Sequence, residues 1–325
     1  MLPIHGALAL CLTALALASV PAGAAAQAYP SRPLRLMIGA APGASGDAIT
    51  RTIGDRFAKV FNQSVVVENR AGASGNIAAE AIARAAPDGH TLLVTLDWHV
   101  SNAGVIAKMP FDPISDFEAI GMIGTLPYLF AVGPTVPARS FAELVNLARG
   151  KPVPLSIGLF GPGSPPHLMI GQIKRRLNLN INEIQYKSGA PALNDVVAGH
   201  VDLVIGSPSL LGGMISSNRI RVLAATTGTR LEQYPDVPTL AESGLPGFDA
   251  GTWYALLTTG KTPAPIVARL NQELNALIND PESRARLRQA GIVPRTSTPQ
   301  DTRAFMQSEL TRLVGELKAA GITPQ

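Results

Sequence analysis

Short apolar segments alternate with segments of helical character in the first hundred residues. The apolar segments at 34–38, 64–68 and 90–96 have the length and the turn-forming ends of buried strands. Between them, residues 47–60 repeat apolar side chains at three- and four-residue spacing, and the alanine-rich stretch 77–82 has a helical composition. The pattern therefore predicts the order strand, helix, strand, helix, strand.

The same alternation continues through the middle of the chain. The predicted strands are 155–159, 184–186, 201–205 and 220–225, and the predicted helices are 141–147, 168–177 and 192–198. Two further apolar segments, 122–132 and 252–257, are predicted to cross between two groups of strands. Two amphipathic helices end the chain, and the second is preceded by Thr298-Pro299, which resembles a capping box with proline at the first helical position.

Strands separated by helix-length segments predict an α/β fold with largely parallel sheets. In such sheets, ligands bind beyond the carboxyl ends of the strands. The chain has 325 residues, which suggests two domains. It is 46% hydrophobic and only 15% charged, so it can bury enough surface to fold, and a disordered chain is excluded.

The first 28 residues have the features of a secretory signal peptide. An almost unbroken alanine and leucine run extends from Leu8 to Val20, and it is too short to span a bilayer as a mature helix. The small residues after it fit cleavage near Ala26 or Ala28. The only cysteine, Cys11, lies within this run, so the mature chain would have no thiol for catalysis, disulfides or zinc. We therefore expect an exported protein.

Charge and motifs exclude several functions. The net charge is +4, but the basic residues are scattered, so no nucleic-acid footprint is indicated. The sequence has no nucleophile elbow, zinc-binding helix motif, Walker A motif or paired cysteines. We predict no catalytic residue, no bound metal and no cofactor. His99 and His167 follow predicted strands, and each could line a pocket or have a structural role.

Two glycine-rich turns are candidates for binding an anion. Gly43 to Asp47 and Gly161 to His167 each precede a helix, whose first turn has unpaired N–H groups and partial positive charge. Two such turns facing each other would hold a carboxylate or phosphate without arginine. Alternatively, they are only tight turns, with Asp47 and Ser164 as N-caps. Trp98 and Trp253 could likewise be packing residues or ligand platforms.

Several segments of the chain resemble one family. These are YPSRPLRLMIGAAPGASGD, VVVENRAGASGNIAAEAIARAAPDGHTLL, MPFDPISDFEAIG, YKSGAPALNDVVAGHVDLV and YPDVPTLAESGLPGFDAGTWYALL. They are similar to tripartite tricarboxylate transporter receptors, the Bug-type periplasmic solute-binding proteins. The resemblance extends from Tyr29 to the final helix, in order and with similar spacing.

The resemblance implies a type II periplasmic-binding-protein-like fold, in which two crossing strands join two α/β domains with a ligand cleft between them. Domain one would comprise 29–128 and 253–325, and domain two would comprise 129–252. Such a protein would not be an enzyme. It would be a periplasmic monomer that captures a small organic anion, typically a carboxylate, and delivers it to the membrane permease subunits of a tripartite transporter by hinge closure.

The resemblance also implies which residues bind the ligand. They lie in the turns and loops that follow the predicted strands. They are Gly43, Ala44, Ser45, Gly46, Asp47, Trp98, His99, Asn102, Gly163, Ser164, His167, Ser188, Gly189, Ala190 and Ser207. Backbone amides, hydroxyls and ordered water would hold the ligand there.

Three departures from the family pattern bear on ligand choice. The first turn reads PGASGD, whereas the family commonly reads like PGGGTD, so a threonine hydroxyl is missing. Gly206-Ser207 stand where the family often has Asp-Asn, so we expect no acidic side chain able to pair with a ligand amine. Trp98-His99 make the wall bulkier than small residues would. We therefore expect a dicarboxylate or an aromatic carboxylate rather than an α-amino acid.

Two other functions remain open on the sequence. One is an extracytoplasmic enzyme that acts on a carboxylate, with His99 or His167 as general base. The other is a ligand sensor that presents its ligand to a membrane kinase.

Overall fold

The computed structural model describes residues 29–150, 152–160 and 164–324. The predicted signal peptide, with its cleavage site near Ala26 or Ala28, lies outside these residues, as does Gly163. None of the helices within the described residues has both the length and the apolar character needed to cross a membrane.

The first sheet has six strands. They are β1 (Leu34–Ile38), β2 (Val65–Asn69), β3 (Thr91–Leu96), β4 (Phe117–Pro127), β10 (Gly251–Thr259) and β11 (Val293–Pro294). Their spatial order is β11-β4-β10-β3-β1-β2. The strands β2, β1 and β3 are parallel, so their carboxyl ends lie at the same edge of the sheet.

The second sheet has five strands. They are β5 (Leu129–Val132), β6 (Leu155–Phe160), β7 (Ile181–Tyr186), β8 (Leu203–Gly206) and β9 (Arg221–Ala225), in the spatial order β7-β6-β8-β5-β9. The strands β7, β6 and β8 are parallel. Each sheet has its own buried apolar cluster, which is the arrangement expected of two α/β domains.

Ten helices cover the sheets in the described part of the chain. They are α1 (Ser45–Phe61), α2 (Asn76–Ala83), α3 (Trp98–Ser101), α4 (Phe141–Gly150), α5 (Pro165–Leu177), α6 (Gly189–Ala198), α7 (Pro208–Ser216), α8 (Ala264–Asn279), α9 (Pro281–Gln289) and α10 (Pro299–Ala319). The predicted cap of α10 is confirmed, because Thr298 Oγ1 accepts a hydrogen bond from the Asp301 amide at 3.0 Å. The sequence pattern does not predict the short helices α3, α7 and α9, because a helix of few turns gives only a weak periodic pattern.

The expectation of largely parallel sheets holds for the strands joined by helices, but each sheet also contains a crossing strand that runs in the opposite direction. β10 pairs antiparallel with both β3 and β4, and β5 pairs antiparallel with both β8 and β9. The reason is the connection between the sheets. A strand that leaves one sheet to enter the other and a strand that returns run in opposite directions, so each sheet receives antiparallel strands.

The two crossings lie side by side. Tyr128 separates β4 from β5, so the predicted crossing segment 122–132 is two strands rather than one. Thr226 follows β9, and its amide donates to the Tyr128 carbonyl at 3.0 Å. The Thr226 hydroxyl donates to the carbonyl of Ala250, which precedes β10, at 2.7 Å. One threonine therefore ties both crossings together.

Candidate functional site

The first glycine turn, between β1 and α1, is held by one carboxylate. Asp47 Oδ2 accepts hydrogen bonds from the Gly43 amide at 3.0 Å and Arg51 Nε at 3.1 Å, and Oδ1 accepts from Asn69 Nδ2 at 3.0 Å. The bond from the Gly43 amide is the main reason why the pKa of Asp47 lies below its ordinary value. Because both carboxylate oxygens already accept these hydrogen bonds, Asp47 stabilises the conformation of the turn. It is not the N-cap, since α1 begins two residues earlier with Ala44 as the N-cap.

Replacing Asp47 by asparagine is expected to lower the free energy of unfolding by about 1–2 kcal/mol at pH 7, since charge-assisted hydrogen bonds are lost. A carboxylate with a lowered pKa stabilises the fold above its unfolded-state pKa, which is ordinarily 3.8, and this contribution disappears as the pH falls through the folded-state pKa. The deficit of the variant should therefore shrink as the pH is lowered from 7 towards 3. Urea unfolding at several pH values measures it.

The matched control is Asp55→Asn, on the same helix. Asp55 is exposed and forms a surface ion pair with Arg286, which contributes less than about 1 kcal/mol. An equal loss of stability in both variants would contradict the role given to Asp47.

The turn between β2 and α2, which contains Gly72 and Gly75, supports the side chain of Trp98. A Cβ atom added at Gly75 would lie 1.9 Å from the Trp98 ring, and one added at Gly39 would lie 2.9 Å from it. The indole is therefore in close contact with the turns after both β1 and β2. Asn102 Nδ2 donates to the Ser74 carbonyl at 2.9 Å and to Asn76 Oδ1 at 2.8 Å, and these bonds hold the turn against α3.

A cavity of about 320 Å³ lies between the two sheets, near the lower end of the range for small-molecule sites. It is lined by the turns after β2 and β3, by α5 of the second domain, by the second crossing and by α10. The lining residues are Ser74, Asp97, Trp98, Ser101, Asn102, Val105, Ser164, Pro165, Leu168, Met169, Gln172, Ala250, Gly251, Arg312, Leu313 and Leu317. Three of the predicted site residues, Trp98, Asn102 and Ser164, are thus brought together.

Ser164 is the predicted N-cap of α5, and it occupies that position without a side-chain capping bond. Its Oγ atom is buried and has no hydrogen-bond partner among the described residues. A buried hydroxyl without a partner is costly. Because Ser164 also lines the cavity, this hydroxyl is a candidate contact for a ligand there.

A polar network lies at the base of the cavity. Thr252 Oγ1 donates to Asp97 Oδ2 at 3.3 Å and lies 3.2 Å from the Tyr128 hydroxyl, so the network reaches the crossing between the domains. On α10, Arg312 donates from two nitrogens to the Glu309 carboxylate at 2.6 and 2.7 Å. Sequence reasoning missed Arg312 and Glu309 because their spacing indicates only a helical ion pair.

Burial raises the pKa of Asp97 to about 7. The charge of Glu309 adds to this effect, whereas the Thr252 hydroxyl, the Trp98 amide and Arg312 oppose it. The same burial raises the pKa of Tyr128. Asp97 is thus an acidic side chain in the cavity wall. The expectation that no acidic side chain could meet a ligand amine is wrong, because it considered only the turn at Gly206-Ser207.

His99 is not in the cavity wall, although it was predicted there. Its side chain is fully buried, with Nε2 2.9 Å from the Pro113 carbonyl, and its ring packs between Phe111 and Phe117. Burial lowers the pKa of His99 to about 4, so the ring is neutral at pH 7. The helical turn α3 directs Trp98 outward and the next side chain inward, which the sequence pattern did not reveal.

The remaining predicted residues do not line this cavity. Gly43, Ala44 and Ser188 are exposed in their turns, Ala190 is exposed in the first turn of α6, and Ser45 and Gly46 start α1. His167 contacts Glu183 of β7 at 3.3 Å. Gly189 packs beside Phe160 and Leu210, and Ser207 caps α7 by accepting from the Leu210 amide at 3.3 Å.

A second cavity, of about 420 Å³, lies near β11. The segment 227–233 lines it together with Arg288 and residues 291–295. It contains none of the predicted site residues and none of the turns that follow the parallel strands. The cavity at Asp97 is smaller than this second cavity, but it is the better candidate for ligand binding because it lies at the carboxyl ends of parallel strands.

Two α/β domains joined by two crossing strands, with a cavity of polar and apolar lining between strand-following turns, define a two-domain solute-binding protein. Residues 49–322 match the family described as tripartite tricarboxylate transporter family receptor, and the chain belongs to this family. Relatives in it are periplasmic receptors. The predictions of family and fold class are confirmed.

Named relatives agree with this assignment. The chain is similar to protein BugT of Bordetella pertussis, with 30% identity over 309 residues that cover 94% of this chain and 95% of BugT. It is also similar to the solved structure of R. palustris Rpa4515 with adipate, at 32% identity and a TM-score of 0.76, covering 91% of this chain and 100% of that one. MatC from Rhodopseudomonas palustris with bound malate is 28% identical, has a TM-score of 0.70 and covers 89% of this chain and 100% of that one.

Proposed function

We propose that this chain binds a small organic carboxylate in the cavity at Asp97 and delivers it to the membrane permease subunits of a tripartite transporter. The observation that carries this proposal is a cavity with lining residues from both domains, including the unpartnered hydroxyl of Ser164. Support also comes from two relatives whose structures contain adipate and malate.

The lining favours a ligand with polar ends and an apolar middle. Ser74, Ser101 and Ser164 bring hydroxyl groups, whereas Trp98 and Leu168 bring apolar surface. A dicarboxylate fits this distribution, and an aromatic carboxylate could also stack on the indole. We therefore still favour a dicarboxylate or an aromatic carboxylate over an α-amino acid. The reason is now the distribution of polar and apolar lining residues, and no longer the absence of an acidic side chain.

A ligand that contacts both domains would favour their closed arrangement, because its binding energy is greatest where both sets of contacts are made. The hinge would lie at Tyr128 and at the Ala250-Gly251 junction, close to the predicted domain boundaries 29–128 with 253–325 and 129–252. In this proposal the protein is exported, loses its signal peptide near Ala26 or Ala28 and acts as a periplasmic monomer.

Thermal unfolding of ligand-stripped protein tests the proposal. Succinate, adipate, malate, benzoate and aspartate would each be added over a range of concentrations. A ligand at a hundred times its dissociation constant should add about 2.7 kcal/mol, which corresponds to a rise of several degrees in Tm. We expect stabilisation by a dicarboxylate or by benzoate, and weaker stabilisation by aspartate.

The matching variant is Ser164→Ala, which removes a hydroxyl that has no hydrogen-bond partner within the described residues. It should leave the Tm without ligand nearly unchanged and reduce the ligand-induced shift. No stabilisation by any of these carboxylates would contradict the proposal.

Conversion of the ligand would instead favour the alternative function, an enzyme that acts on a carboxylate. For that function, the buried ring of His99 and the Glu183-paired ring of His167 provide no favourable geometry.

A further inference from the structure

The cavity contains little positive charge for a site that binds an anion. Among its described lining residues, only Asp97 and Arg312 are charged. The charge of Arg312 is already paired, because Nε and Nη2, two of its three nitrogens, donate to the Glu309 carboxylate. With Asp97 ionised, the two carboxylates and one guanidinium carry a net charge of −1. A ligand carboxylate would therefore meet like charge at this end of the cavity.

The Asp97 carboxyl is fixed at the point where this repulsion would occur. It follows β3, and Thr252 of β10 donates to its Oδ2 atom. Thr252 in turn contacts the Tyr128 hydroxyl, so the carboxyl is held from the crossing side. The bond from Thr252 holds the carboxyl at the cavity wall, where an arriving anion would meet its charge. Taking up a proton removes this repulsion.

We propose that Asp97 takes up one proton from the solvent when a carboxylate binds in this cavity, and that the protonated carboxyl donates a hydrogen bond to the ligand. The proton offsets the charge of the ligand carboxylate that meets Asp97, so the net charge at this end of the cavity stays the same. This inference rests on the proposed function and states how the same site accommodates an anion.

The surroundings of Asp97 support this assignment. Burial raises its pKa to about 7, so protonation at neutral pH costs little free energy. The titratable groups that face it are Tyr128 at the crossing, Tyr254 on β10, and Glu309 with Arg312 on α10. Burial raises the pKa of both tyrosines, so they stay neutral, and the pair on α10 is internally neutral. Asp97 is thus the group whose charge changes.

The proposal predicts a particular pH dependence. If the ligand binds only when Asp97 is protonated, a pKa of about 7 makes the affinity fall about thirtyfold between pH 6 and pH 8.5. At pH 7.5, binding should take up about 0.8 proton per ligand, which is the ionised fraction of Asp97 in the free protein. An ammonium ligand would show the opposite behaviour, because it needs the ionised carboxylate.

Isothermal titration calorimetry with succinate and adipate tests these statements. Titrations at pH 6, 7.5 and 8.5, in buffers of different ionisation enthalpy, measure both the affinity and the proton uptake. In Asp97→Asn, which has the same shape and no titration, we expect affinity that varies less than about threefold over this range and no proton uptake. The surface variant Asp55→Asn removes an equal charge far from the cavity and should behave like the wild type.

The outcomes separate the two proposals. Dicarboxylate binding that is independent of pH, or an unchanged pH dependence in Asp97→Asn, overturns the role of Asp97 and leaves the proposed function intact. No binding of any carboxylate at any pH overturns both. If Asp97→Asn fails to fold, the proton uptake of the wild-type protein still decides the question.

Discussion

Replacing Gly75 by alanine is expected to lower the free energy of unfolding by more than about 3 kcal/mol and to weaken ligand binding. Two costs add. Gly75 has φ +79°, a conformation that costs a residue with a Cβ about 1–2 kcal/mol. In addition, the new methyl group would lie 1.9 Å from the Trp98 ring, and a small shift of the ring would not relieve this overlap because the ring also lies close to Gly39. The indole must therefore leave its position in the cavity wall.

Gly43, in the turn between β1 and α1, provides a matched control. It has nearly the same backbone conformation, φ +82°, but a Cβ there would meet nothing within 4 Å. Gly43→Ala should therefore lower the free energy of unfolding only by the backbone contribution of about 1–2 kcal/mol. Urea unfolding measures both losses. The chain has two tryptophans, so a change in tryptophan emission wavelength that occurs in Gly75→Ala and not in Gly43→Ala reports exposure of the Trp98 ring. Similar losses in the two variants would contradict the contact with Trp98.

Replacing Trp253 by alanine is expected to cost about 3–5 kcal/mol, the range for removing a large buried aromatic side chain. Trp253 is 1% exposed on β10, and its ring packs edge-on against Phe305 of α10. Its Nε1 atom donates to Glu309 Oε2 at 3.0 Å. The variant would thus lose contact between β10 and α10 beside the Thr252–Asp97 hydrogen bond, and ligand binding should weaken as well.

Trp253→Phe separates packing from hydrogen bonding. It keeps a buried ring and loses the bond to Glu309, whose carboxylate remains paired with Arg312. We expect a loss of about 1–2 kcal/mol, the usual cost of a hydrogen bond to a charged group with a small packing defect. Equilibrium urea unfolding distinguishes the two variants. A phenylalanine variant as unstable as the alanine variant would show that the indole N–H, rather than packing, dominates.

The order of elements follows from local pattern. Apolar segments of strand length, such as 34–38 and 155–159, lie within strands of the structure, because a buried parallel strand needs a continuous apolar run. The amphipathic pattern of α10 and its Thr298 cap were legible for the same reason, since both depend on neighbours in the chain. The direction of the crossing strands could not be predicted from the sequence, because it depends on the pairing of β4 with β10, which are far apart in the chain.

The candidate site was only partly predictable. Trp98, Asn102 and Ser164 follow strands in sequence and do line the cavity. His99 follows the same strand, but the turn of α3 places it among Phe111 and Phe117 in the core. A position after a strand thus indicates the correct edge of the sheet without indicating where a side chain points.

The sequence alone determined that this protein is an α/β receptor of the tripartite tricarboxylate transporter family, because periodicity and family motifs are properties of neighbouring residues. The tertiary structure decided the charge of the cavity. Asp97 meets Thr252, which is 155 residues away in the chain, and faces the ion pair of Glu309 and Arg312 on the last helix. Burial and the distance between charges set the protonation of a carboxyl group, and both exist only after the chain has folded.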